Sequence, residues 1–471
     1  MFNAEFTRKF SLSMHKNMQI KLAEMSFYKN FVATNRGDLY PVIEKSADCI
    51  DAVENNSYIV KSGAIKRVFA SFFPYATYKV VADGNGAVGF GVNTKTAEAI
   101  VTREEDTINF TCGKKTETIK IPAFLLAEKY LIVTCRPKNF DIYIEKNGMA
   151  VFVKTVTCDE FARSHDYANF SDGFVSLVAS GYAVVSEVKS YLDNGIGIAD
   201  IRPIRYENGE VMVEEGKVYF TATVRNQAGG YQGIFSWVAG TSQIDYCGAV
   251  FFDAGDGLWC GDVASSILYN RKEKQWQLWV CSFAHCHILA YAQFSGDIRF
   301  GVSVVDITLM EKASEGENFK VFKGFEGDED PDFFFDESIG KWRLSVCRID
   351  KKSGNYRYVF FISDQPFAEY ECVGCGYIGA ETGGSFVKID GELYFVCGNS
   401  FDLKSNYRIY GKDGMSEAKF NFDDGGFRGW GTIIPVKKGS RTRYFWLTFD
   451  RFNGSDFNWS YGNLYCFEHK E

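Results

Sequence analysis

Short apolar runs separated by turn residues fill the chain from about Val42 to Leu192. Clear examples are Val68–Phe73, Ala87–Val92, Tyr130–Thr134 and Phe140–Glu145. The last run alternates in sidedness and is followed by Asn147-Gly148 and the run Ala150–Lys154, the pattern of a β-hairpin with a tight turn. Many short antiparallel strands over this length predict a β-sandwich at residues 42–194. Residues 1–41 form a predicted N-terminal extension with helical tendencies.

A second pattern recurs through the rest of the chain: a turn, then a strand with aromatic residues at alternate positions. Its aromatic anchors are Tyr219, Trp276, Trp342, Tyr394 and Tyr444. The successive differences between these residue numbers are 57, 66, 52 and 50. Units of this length, each with four strands, are typical of the blades of a β-propeller. The chain is therefore expected to be all-β, with a five-bladed propeller at residues 195–471.

The strand before each anchor carries the candidate chemistry. Four of the five predicted blades place a carboxylate at the start of this innermost strand: Asp200, Asp262, Asp330 and Glu381. In a propeller those starts converge on the mouth of the central channel. An aspartate near a strand start often only binds backbone amides in a turn. Four in register favour instead a ring of acids, in which crowded carboxylates raise one another's proton affinity and supply an acid and a base for cleaving glycosidic bonds.

Composition narrows the classes of function. The 471 residues suggest two domains, and the net charge of −8 with a pI near 5.4 lacks the basic footprint of a nucleic-acid-binding protein. No apolar run reaches the ~18–20 residues of a membrane helix. Aromatic residues at 16%, with 45 Gly and only 8 Pro, favour strands and tight turns.

Cysteine usage and the N-terminus predict location and metal content. The 13 cysteines are scattered, and the first residues have no signal-peptide pattern, so reduced, mostly buried thiols in a cytoplasmic protein are expected. Cys372-x-x-Cys375 has no second pair at the spacing of a zinc site. No metal and no cofactor are predicted.

The order Asp, Asp-Pro, Glu on a five-bladed propeller resembles glycoside hydrolase family 43 and its relatives, families 32, 62, 117 and 130. The resemblance implies that Asp200 is the general base, that Asp330, before Pro331, tunes and orients the acid, and that Glu381 is the general acid. The chain departs from the family pattern, because Thr382-Gly383 replaces Gly-Pro and Ile201-Arg202-Pro203 replaces a direct Asp-Pro. The sandwich is similar in pattern to concanavalin-type, laminin-G-like domains.

The resemblance implies a glycoside hydrolase, which inverts if it follows family 43 and retains if it follows family 32, where an aspartate is the nucleophile. The missing signal peptide favours small oligosaccharides, cleaved in exo mode. Two alternatives stay open: a non-catalytic glycan-binding propeller and a glycoside phosphorylase, for which Arg202, Arg205 and Arg428 offer basic groups. The expected partner is an oligosaccharide or glycan, with no nucleic acid and no membrane. The oligomeric state is not predicted.

Six residues are predicted to bind the substrate: Asp262, Arg202, Arg428, Trp430, Trp259 and His287. The arginines could bind hydroxyls or a uronate carboxylate, or else pair with the carboxylates and hold them in place. The tryptophans could stack on a sugar ring or pack in the core. His287 and its neighbour His285 could line the channel, ligate a metal or serve only the structure.

Overall fold

The structure is a computed structural model. It describes residues 5–25, 41–227, 229–285, 287–310, 325–377, 381–399, 406–419, 431–449 and 463–469. The chain divides into two units. One, the propeller unit, has Met1–Met18, Asn194–Asp256 and Cys260–Glu471, and the other, the sandwich unit, has Gln19–Asp193 and Gly257–Trp259. Among the described residues, no helix has the length and apolar character needed to cross a membrane.

The start of the chain forms two strands, β1 (Phe6–Ser13) and β2 (Gln19–Met25), so the helical tendency predicted there is wrong for the described residues. In β1 the partly buried residues Phe10 and Leu12 share one face, opposite Cys466 and Leu464, whereas a register shift between Arg8 and Phe10 places Phe6 on the other face, opposite His469. β1 pairs antiparallel with the last strand of the chain and adds to the propeller unit.

The sandwich unit contains β2 and the next fourteen strands: β3 (Val42–Lys45), β4 (Ile50–Glu54), β5 (Ser57–Ser62), β6 (Ala64–Ser71), β7 (Thr77–Gly84), β8 (Ala87–Asn93), β9 (Glu98–Glu104), β10 (Thr107–Cys112), β11 (Lys115–Lys120), β12 (Tyr130–Arg136), β13 (Asn139–Lys146), β14 (Met149–Thr157), β15 (Phe174–Ser180) and β16 (Ala183–Asp193). Short helices are the 3₁₀ turns Ala123–Leu125 and Asp159–Phe161 and the α-helix α1 (Tyr167–Phe170). The strands form two antiparallel sheets, of order β11-β10-β9-β8-β15-β6-β3 and β14-β13-β12-β7-β16-β5-β4, with β2 beside β16.

Apolar side chains from the two sheets share one buried cluster. Phe69 of one sheet meets Tyr78 of the other with ring centroids 6.3 Å apart, and Phe110 meets Phe140 at 5.2 Å. The predicted hairpin is also present, because β13 and β14 pair up to Lys146 and Met149 across a two-residue turn. Both turn residues, Asn147 and Gly148, have positive φ, as this tight turn requires. The predicted sandwich is thus confirmed.

One pair of cysteines differs from the expected reduced thiols. Cys112 and Cys158 are joined by a disulfide within the sandwich unit, whereas ten other described cysteines are free. Cys112 ends β10 and Cys158 follows β14, and scattered spacing gives no hint that these two ends meet. The cytoplasmic location stays a prediction.

The propeller unit contains β17 (Gly197–Pro203), β18 (Arg205–Tyr206), β19 (Val213–Glu214), β20 (Lys217–Asn226), β21 (Gly229–Trp237), β22 (Ile244–Asp253), β23 (Val263–Asn270), β24 (Gln275–Ser282), β25 (Ile288–Phe294), β26 (Gly301–Asp306), β27 (Thr308–Leu309), β28 (Phe325–Asp336), β29 (Lys341–Asp350), β30 (Asn355–Ser363), β31 (Glu371–Cys375), β32 (Glu381–Ile389), β33 (Glu392–Asn399), β34 (Asn406–Gly411), β35 (Gly414–Lys419), β36 (Thr432–Lys438), β37 (Arg441–Phe449) and β38 (Asn463–His469). They form five sheets: β17-β20-β21-β22-β26 with β19, β18-β23-β24-β25-β27, β28-β29-β30-β31, β32-β33-β34-β35 and β1-β38-β37-β36.

These five sheets are the five predicted blades, numbered one to five in the order just given. The first strand of each blade is β17, β23, β28, β32 or β36, and the second strand is the one that follows it along the sheet: β20, β24, β29, β33 or β37. All five aromatic anchors lie on a second strand, as predicted: Tyr219, Trp276, Trp342, Tyr394 and Tyr444. Buried clusters fill the spaces between blades, such as the one that contains Tyr219 and Trp276. The first strands β17, β23, β28, β32 and β36 contact one another in sequence, and β36 returns to β17, so the ring closes. The fold is an all-β chain with a five-bladed propeller.

Candidate functional site

A β-bulge interrupts the first strand of each of the first four blades. At this point two residues of the first strand lie opposite one residue of the second: Asp200-Ile201, Ala264-Ser265, Asp330-Pro331 and Gly383-Gly384. The first residue of every pair has a left-handed backbone, with φ of +52°, +57°, +49° and +62°. Bulges re-aim side chains and are common beside active sites. The left-handed conformation is unfavourable for residues other than glycine, so the surrounding fold must impose it at Asp200 and Asp330.

The bulges correct the predicted alignment of the carboxylates. Asp200 and Asp330 are themselves bulge residues, whereas Asp262 and Glu381 lie two residues before the bulge of their blades. The four acids are therefore not in one register but form two levels. The earlier level includes a fifth carboxylate that the sequence reasoning missed, Asp328, which is buried and pairs with Arg348 at 2.8 Å.

Asp200 is buried, and its Oδ2 accepts a hydrogen bond of 2.7 Å from Thr223 on the second strand of the same blade. Burial and, next, the negative charge of Asp330 raise the pKa of Asp200 to about 6, against the opposing charges of Arg225 and Arg202. Thr223 also accepts a hydrogen bond of 3.2 Å from the backbone of Ala264 in blade two. The carboxylate is thus held by blade one at the point where blade two begins.

Asp330 connects blade three to the strand that carries Glu381. Its Oδ2 accepts hydrogen bonds of 2.8 Å from the Thr382 hydroxyl and from the backbone N–H of Gly383. Because these donors directly follow Glu381, Asp330 fixes the start of β32. Cys347 adds a third contact, since its thiol donates to the carbonyl of Glu381 at 3.0 Å.

Glu381 is buried at the start of blade four, and its two oxygens differ. Oε1 accepts hydrogen bonds from Arg408, at 2.9 Å, and from the Tyr410 hydroxyl, whereas Oε2 has no hydrogen-bond partner among the described residues. Burial raises the pKa of Glu381 to about 7, although Arg408 opposes the shift. Near neutral pH the site therefore contains a carboxyl group that is protonated in a large fraction of molecules.

Two arginines contact blade three: Arg202 of blade one, which is not a neighbour of blade three, and Arg205, which lies on β18 in the sheet of blade two. Arg202 is fully buried and donates to the backbone carbonyls of Asp330 and Pro331, both at 3.4 Å. Arg205 donates to Asp332, which also accepts from Ser266 of blade two at 2.8 Å. These contacts bring the first-strand side chains together at the centre of the ring. Arg202 thus contacts the backbone of the segment that carries Asp330, and its predicted contact with substrate stays a prediction.

Asp262 anchors the loop that follows β24. Its carboxylate accepts hydrogen bonds from Ser282, at 2.7 Å, and from the backbone N–H of Ala284, at 3.2 Å. Burial raises the pKa of Asp262, although the Ser282 hydrogen bond opposes this. His285 continues the network, with Nδ1 2.8 Å from Ser282 Oγ and Nε2 3.2 Å from Asp256.

His287 lies between blades two and three. Its Nε2 is 2.7 Å from Glu329 Oε1, and its ring stacks on Phe283 with centroids 4.5 Å apart. Burial lowers the pKa of His287, but the Glu329 hydrogen bond and charge outweigh it and raise the pKa overall. Its predicted contact with substrate stays a prediction.

Three further residues are predicted to bind sugar: Trp259, Arg428 and Trp430. Trp259 belongs to the sandwich unit, where its ring packs against Phe170 at 4.9 Å and Tyr167 at 5.3 Å. Trp259 is partly buried among these rings, and its predicted contact with a sugar stays a prediction. Arg428 and Trp430 lie outside the described residues.

Several residues of the site had no sequence signal. Arg408 and Tyr410 lie on the same face of β34, the third strand of blade four. The sequence prediction considers only the first strands, and the folding of the blade brings these two side chains to Glu381. Asp328 is hidden in the acidic run Asp328-Glu329-Asp330, in which spacing does not identify the buried members. Among the described residues, Cys112, Cys158 and Glu160 come together in a way that could ligate a metal, but they lie in the sandwich unit and the two sulfurs are bonded to each other.

No known family model matches the chain, and no curated protein matches its sequence. Solved structures with a similar fold include Bacillus subtilis levansucrase, with 11% identity, a TM-score of 0.40 and coverage of 58% of this chain and 84% of that one. A GH43 β-1,3-galactosidase has 12% identity, a TM-score of 0.38 and coverage of 56% and 93%. An endo-1,4-β-xylanase from Bacteroides thetaiotaomicron has 15% identity, a TM-score of 0.37 and coverage of 58% and 90%.

These similarities are distant, and each covers a little more than half of this chain. Identities this low assign neither a substrate nor a reaction to this chain, so its function must be argued from the site.

Proposed function

We propose that the propeller is a glycoside hydrolase whose acid is Glu381 and whose base is Asp200. The observation that carries the proposal is the pair of buried carboxyl groups on the first strands of blades one and four, with pKa values raised to about 6 and about 7. Hydrolysis of a glycosidic bond requires one carboxyl group that holds a proton and another that has lost it. Around pH 6.5 these two groups meet that requirement together.

The roles follow the resemblance to family 43, and the raised pKa of the buried Glu381 supports its role as the acid. Glu381 keeps its proton to higher pH, and it donates that proton to the glycosidic oxygen as the bond to the anomeric carbon breaks. Asp200, ionised above about pH 6, accepts a proton from the water that attacks the anomeric carbon. Asp330 orients the acid, because it binds the two residues that follow Glu381.

The proposed substrate is a small oligosaccharide, cleaved from its end with inversion. Inversion follows from the resemblance to family 43, and the configuration of the first sugar released, observed by NMR, tests it. The similar structures, named as a levansucrase, a galactosidase and a xylanase, suggest the sugars to try first: fructo-, β-1,3-galacto- and xylo-oligosaccharides.

The proposal is tested by reducing-sugar release from that panel, supplemented with arabino-oligosaccharides and aryl glycosides. We expect wild-type protein to cleave at least one class and Glu381→Gln to lose ~100-fold or more, because glutamine cannot donate the proton. Glu392→Gln is the matched control: the same change in the same blade, on an exposed residue paired with Lys412. It should retain full activity.

Undiminished activity of Glu381→Gln would overturn the assignment of the acid. If the wild-type protein releases no reducing sugar from any substrate of the panel, the proposal of hydrolysis is contradicted. The panel is then repeated with inorganic phosphate, where cleavage would indicate a phosphorylase, and binding without cleavage would indicate a glycan-binding propeller.

A further inference from the structure

An exposed aromatic side chain, Phe283, is held rigidly beside the buried Asp262. It directly follows β24, and 49% of its surface is exposed. The residues on both sides of it, Ser282 and Ala284, donate hydrogen bonds to the Asp262 carboxylate. Because Asp262 starts the first strand of blade two, Phe283 lies at the same end of the blade as the carboxylates.

One face of the Phe283 ring is already occupied. His287 stacks on it with an interplanar angle of 26° and a centroid distance of 4.5 Å. His287 is fixed in turn to blade three, by Glu329 at 2.7 Å and by a hydrogen bond of 3.3 Å from the backbone of Asp328 to its carbonyl. Tyr356 donates to the same Glu329 oxygen at 3.3 Å. One face of the Phe283 ring is thus supported by His287, which residues of blade three hold in place.

We propose that Phe283 is the platform on which the apolar face of a substrate sugar ring stacks. A sugar presents C–H groups on its ring face and hydroxyl groups around its edge. An aromatic ring covers the first, and carboxylates accept hydrogen bonds from the second. Phe283 combines the two, because the residues on both sides of it bind Asp262 and its ring stacks on His287, which contacts Glu329.

This inference rests on the proposed function and adds a subsite to it. It also adds a stacking residue to the two tryptophans predicted for that role, Trp259, whose ring packs within the sandwich unit, and Trp430.

The test replaces Phe283 by alanine, leucine and tryptophan and measures kcat and KM on the oligosaccharide of the panel that wild type cleaves fastest. Phe283→Ala and Phe283→Leu should raise KM about tenfold with kcat within about twofold, because stacking is lost while the acid and base are untouched. Phe283→Trp keeps an aromatic face and should stay within about threefold of wild type.

Phe300→Ala is the matched control. Phe300 is 53% exposed but contacts Tyr219, near the start of β20, the opposite end from Thr223 and Asp200. Its replacement should leave both kinetic constants unchanged.

Calorimetric titration of the panel oligosaccharides into Glu381→Gln, with and without Phe283→Ala, separates this proposal from the catalytic one. Titration requires no turnover, so about tenfold weaker binding in the double variant supports the platform whatever happens to hydrolysis. Unchanged KM and unchanged binding in Phe283→Ala would overturn the platform while leaving the hydrolase intact. A fall in kcat at constant KM would also overturn it.

Discussion

Arg408 controls how strongly Glu381 holds its proton. Burial raises the pKa of Glu381 to about 7, and the guanidinium 2.9 Å from Oε1 limits that rise. An acid catalyst works only while protonated, so activity is lost as pH rises through the pKa of Glu381. Arg408→Gln removes the opposing charge, and the basic limb of the kcat/KM profile should therefore move to higher pH.

The acidic limb reports Asp200 and should stay near pH 6 in both proteins, because the base loses activity as pH falls through its pKa. Arg443→Gln, which removes an arginine paired with Glu468 in blade five, should shift neither limb. A basic limb that stays in place or moves to lower pH in Arg408→Gln would contradict the role given to Arg408.

Among elements, the segment that ends blade three approaches the acid closely. A Cβ added at Gly376 would lie 2.3 Å from Glu381 Oε2 and 3.2 Å from the Tyr410 hydroxyl. Gly376→Ala should displace the carboxyl group and lower kcat about tenfold or more, because small misplacements of a catalytic group are costly. Kinetics and thermal unfolding, measured together, test this.

Gly374→Ala is the control in the same segment, since a Cβ there meets nothing within 4 Å. It should leave kcat and the melting temperature unchanged. Equal activity of the two variants would show that the contact between Gly376 and Glu381 does not matter for catalysis.

The elements also show how far sequence reasoning reaches. The aromatic anchors predicted the blades because each anchor packs between neighbouring blades. Every blade needs such a residue, so the pattern repeats along the chain. The offset of two residues between Asp200 and Glu381 was missed because a bulge depends on pairing with the second strand, which spacing along one strand does not reveal. β1 was missed because its partner, β38, lies at the other end of the chain.

On the scale of the whole molecule, Asp332 of blade three joins blades two, three and four at the centre of the propeller. From blade three, it accepts hydrogen bonds from Arg205, from Ser266 at 2.8 Å and from the backbone N–H of Phe386 at 2.7 Å. Asp332→Asn would leave Arg205 buried without its countercharge and place an amide group among these donors. We expect the free energy of unfolding to fall by about 3–5 kcal/mol, measured by denaturant titration.

Asp364→Asn provides the comparison, because Asp364 pairs with Lys341 at 2.6 Å but is 72% exposed. Its loss should cost no more than about 1 kcal/mol. Equal effects of the two substitutions would contradict the central position given to Asp332.

The role of Glu381 as proton donor is tested most directly by comparing substrates whose leaving groups do and do not need a proton. Glu381→Gln should lose ~100-fold or more on an oligosaccharide, whose alcohol leaving group needs a proton. On an aryl glycoside with a dinitrophenolate leaving group, which departs without one, the same variant should retain most of the wild-type rate. Equal losses on both substrates would contradict the assignment of Glu381 as the general acid.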